Sequence, residues 1–189
     1  MVAAPESIEL LRARGVRLAP GLTAPEISAI ESRFGFEFNP DHRDFLSIAA
    51  PQGEGWIDWR GDDRAIQEAL SRPAEGVMFD VEENDFWPRS WGEAPPSLPN
   101  RLRRAYEQIA TWPTLVPLYG HRFVPASPAG RNAPVFSVWQ TDVIVYGRDV
   151  LDYVQREFGA GRAAHSVDGV DPRICPPWSL LAFGLDDEI

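Results

Sequence analysis

A chain of 189 residues with 18 basic and 28 acidic side chains, net charge -10, suffices for one domain and is too acidic to bind a run of phosphates. Its 44% hydrophobic content, with seven Trp and ten Phe, is ample for a core and argues against disorder, while no apolar run approaches the ~20 residues of a bilayer crossing. Every basic side chain is arginine, and without lysine the P-loop nucleotidases, Schiff-base enzymes and kinases of the usual kind are excluded.

In chain order, Met1 to Glu6 has neither the basic nor the apolar region of a secretory signal, so a cytoplasmic setting is expected. Ser7 to Arg14 places Ile8, Leu10 and Leu11 on a short amphipathic turn or two that Gly15 ends. After the Pro20-Gly21 break, Thr23 and Glu26 form a capping box ahead of Ile27, Ile30 and Phe34, with Gly35 as the stop. Asn39 and Pro40 start a second helix expected to bury Phe45, Leu46 and Ile48. Trp56-Ile57-Asp58-Trp59 alternates like a short strand, and its two tryptophans cannot both face the core unless the backbone twists or bulges. Asp62 or Asp63 caps a helix carrying Ile66 and Leu70, expected to stop at Pro73. Val77 to Asp80 reads equally as strand or loop, and Glu82 to Pro99, with four prolines, as an ordered loop. Leu102, Tyr106 and Ile109 mark one helical face before Pro113.

The second half is strand-rich. Leu115–Tyr119, His121–Pro125, Val135–Trp139 and Val143–Tyr146 are β runs, joined by a loop at Pro128–Asn132 and a tight turn at Gln140–Asp142. A last strong helix carries Val150, Leu151, Val154 and Phe158, with Asp152 and Arg156 as an (i, i+4) pair, and ends at Gly159. The tail from Cys175 to Gly184 is expected to cover apolar surface. Helices, then a meander, then a helix define an α+β fold with a mostly antiparallel sheet flanked by helices. The chain reads as one domain over 1–189.

The ordered set Leu22-Thr23-x-x-Glu26-Ile27-x-x-Ile30-Glu31-x-x-Phe34-Gly35 and Phe38-x-Pro40-x-x-x-x-Phe45-Leu46 resembles the opening of the SUKH superfamily. That group includes the fungal cell-wall-assembly regulator domain and many bacterial proteins. Gly53 to Trp59, Pro134 to Val138, Thr141 to Gly147 and Leu151 to Val154 fit its later segments, so the resemblance spans roughly 22–158. The stretch Phe86–Pro99 and the extension 159–189 go beyond it. The resemblance implies an α+β fold and non-enzymatic work: bacterial members are regarded as immunity proteins that neutralise polymorphic toxins, often nucleases, and others act as scaffolds. It supplies no catalytic residues.

Among candidate sites, Phe79-Asp80-Val81-Glu82-Glu83-Asn84-Asp85-Phe86-Trp87 interleaves four carboxylates with aromatics, a pattern suited to a basic protein partner. Asp80, Glu82, Glu83, Asp85 and Trp87 are the expected contacts, with Trp56 in support; the competing reading buries Phe86 and Trp87 and leaves the acids solvated. The spacing lacks the Gly and terminal Glu of an EF-hand. His42, His121 and His165 lack zinc spacing, so neither metal nor cofactor is expected. Cys175, the only cysteine, has no base beside it and reads as buried and inert. Nucleophile-elbow and dinucleotide motifs are missing. The expected function is therefore protein binding, most simply as an immunity protein. A regulatory scaffold is the alternative, and a hydrolase using buried carboxylates with His121 is a third reading.

Overall fold

The computed structural model describes residues 3–159, 169–185 and 188–189. Helix α1 (Ala3–Ala13) buries Ile8 and Leu11 and packs on the first core cluster, so the chain ahead of Leu22 belongs to the fold rather than decorating it. Strand β1 (Arg17–Pro20) pairs antiparallel with β2 (Ala49–Gln52), and these two strands bracket helices α2 (Ala24–Phe34) and α3 (Pro40–Ile48).

Both helix starts follow from local chemistry. The Thr23 backbone N–H donates to Glu26 Oε2 at 2.7 Å, and the Glu26 N–H donates back to Thr23 Oγ1 at 3.4 Å, which satisfies two otherwise orphaned donors. Gly35 ends α2 at φ 72, the left-handed conformation that costs glycine nothing. Asn39 caps α3 and Pro40 takes its first position. Along α3 the inward row is His42, Phe45 and Leu46, and Ile48, expected with them, lies off that row and is exposed.

Helix α4 (Asp63–Glu83) runs straight through Pro73, where the sequence predicted a stop. Ile66, Ala69, Pro73, Val77 and Val81 form one unbroken buried row at helical spacing, so packing along the whole face outweighs the single backbone bond that proline forfeits. The segment after it is a loop with one 3-10 turn at Arg89–Trp91, and α5 (Leu98–Ile109) begins with Pro99 in its first turn. The expected strand at Trp56–Trp59 reduces to one bridge between Trp56 and Tyr119. Arg60 then ties this segment to α2, donating to Glu26 Oε1 at 2.6 Å and to the carbonyls of Pro20 and Gly21, both at 2.9 Å.

Strands β3 (Leu115–Tyr119), β4 (Arg122–Pro125), β5 (Val135–Trp139) and β6 (Asp142–Gly147) form an antiparallel meander in chain order. The sheet is a middle layer. Val116, Leu118, Val124 and Val135 face the cluster built by α1, α2, α3 and α6 (Val150–Phe158). Phe123, Phe136, Val138, Val143 and Val145 face the cluster built by α4, α5 and α7 (Trp178–Ala182). This is the expected α+β architecture, an antiparallel sheet flanked by helices. The tail does cover apolar surface: Cys175 and Trp178 are buried in the second cluster, and Trp178 Nε1 donates to the Pro113 carbonyl at 2.8 Å.

Candidate docking groove

Two faces of α4 do different work. Val77 and Val81 of its inner row enter the second core cluster and Ile66 the first, while its outer row, Glu75, Phe79 and Glu82, recurs every three or four residues along the solvent side. Beside it lies α5, whose inward row is Leu102, Ala105 and Ile109. Tyr106, expected on that row, sits one position round from it and is 68% exposed, while Phe79 is 48% exposed. Between the two helices runs a groove of about 550 Å³, floored by Ser71, Ala74, Met78, Ile109 and Ala110. Small residues keep the floor low, and the two aromatics stand at its sides.

The rim is acidic. Glu75 and Glu82 line the groove and Glu83 follows, and none of the three makes an ion pair among the described residues. Glu82 and Glu83 occupy the last turn of α4, which carries no basic residue. The carbonyl end of a helix is its negative pole, so each carboxylate there opposes the dipole by roughly 0.3–1 kcal/mol. Stability alone would place arginine at these positions. Asp85, 94% exposed on the next turn, reaches Arg101 of α5 at 3.2 Å.

The remaining expected contacts fall elsewhere. Asp80 must be withdrawn from the docking set: it is 4% exposed, and its carboxylate accepts from Asn84 Nδ2 at 2.6 Å, from the Thr141 backbone N–H at 2.8 Å and from the Thr141 hydroxyl. It clamps the β5–β6 turn onto α4. Gly76, four residues earlier, belongs to the same junction, since a Cβ there would lie 2.8 Å from the Gln140 Cα. Trp87 is half-buried, donates from Nε1 to the Gly92 carbonyl at 2.8 Å and stands edge-on to Trp91 at 5.1 Å. Phe86 packs edge-on to Trp91 as well, so Phe86 and Trp87 fill space under the loop while Glu82, Glu83 and Asp85 stay in water. Trp56 stacks between Phe45 and Phe158 on the other core cluster and is no part of the groove.

Of the expected set, then, the fold brings Glu82 and Glu83 to the groove and Asp85 to its end. Phe79 was visible in the sequence among the acids, whereas Tyr106 was concealed by a periodicity that also fits an inward face.

Other polar groups are differently placed. A cavity of about 390 Å³ between α1, α3 and the start of α6 also holds acids, but Arg131 bridges Asp41 and Asp44 at 2.6 and 2.8 Å and compensates them. His42 is buried among Phe38, Phe45 and Trp59 with its Nδ1 unpartnered, and burial lowers its pKa to about 3. His121 stands edge-on to Trp139; partial burial and then the Arg122 charge lower its pKa. His165 lies outside the described residues. Burial pushes the Cys175 thiol up to about 12, which leaves no thiolate near neutral pH. Among the described residues no three His, Cys, Asp or Glu side chains group so as to hold a metal ion, and no described helix is long and apolar enough to cross a membrane.

Compared with models of protein families, with curated proteins and with solved structures, the chain matches none. Fold and groove together define an α+β protein that presents an acid-rimmed, aromatic-sided cleft between two helices.

Proposed function

We propose that this is a non-enzymatic protein-binding domain of the SUKH type, working in the cytoplasm as an immunity protein that neutralises a basic toxin domain by covering its active site. The observation that carries the reading is the pair of exposed aromatics, Phe79 and Tyr106, set among Glu75, Glu82 and Glu83, which make no ion pair among the described residues. Aromatics exposed along the sides of a cleft supply anchoring area, and rim charges of one sign steer an oppositely charged partner. An acidic face of this kind stands in for the phosphates that a nuclease would otherwise hold. The immunity role itself rests on the sequence resemblance over 22–158, and the cytoplasmic setting on the absence of any possible disulfide within the chain.

Affinity capture from the native host, with wild type beside a Glu75→Arg, Glu82→Arg, Glu83→Arg variant, tests the reading. Wild type should retain a basic protein that the charge-reversed variant loses, and co-expression should relieve that protein's toxicity. Identical captures from both would refute the groove as the docking site. A captured partner that harms no cell would leave the binding domain standing and remove the immunity role.

A further inference from the structure

Resting on the reading of the groove as a docking site, the geometry points to its occupant: we infer that a basic amphipathic α-helix of the partner lies in it, about three turns long. Three observations converge. The first is length. Ser71 and Glu82 mark the ends of the α4 wall, and at 1.5 Å per residue this wall is about 17 Å long, the span of three helical turns.

The second is the floor. Ser71, Ala74 and Ala110 are small, and they follow the line between two helices that already pack together. A third helix resting on that line inserts its ridge of side chains between theirs, and short floor residues let it approach closely. An extended segment would instead need a free strand edge to satisfy its backbone, and both walls here are helices whose backbone groups bond internally. The helix supplies its own backbone bonds and brings only side chains.

The third is charge. Among the described residues the groove is lined by Glu75 and Glu82 and by no basic residue, and Glu83 extends the same rim. A partner helix that sets apolar residues at i, i+3 or i+4 and i+7 against Phe79, Met78 and Tyr106 has flanking positions directly over these acids. Arginine or lysine there completes ion pairs that these acids do not make among the described residues. The negative end of α4 adds to the same attraction.

Selection from an unbiased displayed library of random peptides of about 16 residues, long enough for three turns with flanks, tests this on the full chain. A Phe79→Ala, Tyr106→Ala variant serves as the counter-target, and circular dichroism checks that it remains folded. The expected winners are basic peptides with apolar spacing of three and four whose binding falls about 30-fold on the double variant, as for a pair of anchor residues. A mid-sequence proline should weaken them at least about tenfold. Winners that depend on Phe79 but alternate with a period of two, or carry net negative charge, would overturn the helical occupant while leaving the groove a docking site. A dimer in sedimentation that the double variant dissolves would assign the groove to a second copy and overturn it too. Binding indifferent to Phe79 and Tyr106 would sink both this inference and the docking site it rests on.

Discussion

Asp80 and His42 are the two buried residues whose chemistry is least forgiving, and they fail in opposite ways. Asp80 is buried and fully engaged, its carboxylate joining the end of α4 to the Thr141 turn. Asp80→Ala leaves those donors unanswered, so it should destabilise the fold by about 2–4 kcal/mol, read as a fall in urea midpoint with an unchanged m-value. His42 is neutral and buried, with a folded pKa of about 3 against an ordinary 6.5. The unfolded chain therefore takes up a proton as pH falls through 6.5 while the folded one does not. Its contribution is fully present above that pH and is lost progressively toward pH 3, on the order of several kcal/mol in total. His42→Phe removes that titration. Urea midpoints for the variant should be flatter than wild type between pH 6.5 and 4; parallel acid limbs would show that His42 does not govern this range.

At the scale of elements, α4 holds the sharpest test, because stability and binding pull apart there. Glu83→Arg converts a charge that opposes the helix dipole into one that complements it. It should raise stability by roughly 0.3–1 kcal/mol in thermal or urea unfolding while weakening partner capture. A loss of stability would mean that the acid serves the fold. The same helix shows what a sequence conceals. Capping signals at Thr23 and Asn39 were legible because they act over a few residues, and both are in place. Pro73 misled because a breaker is local whereas the row from Ile66 to Val81 is collective, and the row wins. Tyr106 misled because a spacing of three or four fits two adjacent faces, and only the packing of α5 on α4 decides between them. Trp56 and Trp59 alternate like a strand, yet a single bridge to Tyr119 and the Arg60 anchor hold that segment.

For the whole molecule, the antiparallel meander was readable from four short β runs with turn residues between them. That each of its faces is covered by its own set of helices was not, since that depends on which apolar rows meet across the chain. The groove has the same origin: Phe79 and Tyr106 are neighbours only because the sheet and α7 hold α4 and α5 together on one core cluster. The acids announced themselves by clustering, and one of the four turned out to be a structural clamp because its neighbour in space is Thr141.

The central claim is that the outer faces of α4 and α5 dock a basic partner, and association kinetics test it most directly. With the captured partner, the rate constant for association should fall on Glu75→Arg with Glu82→Arg and Glu83→Arg, and lose most of its dependence on salt. Phe79→Ala with Tyr106→Ala should instead speed dissociation. Association of the charge-reversed protein at the wild-type rate, with the wild-type response to salt, would contradict the account.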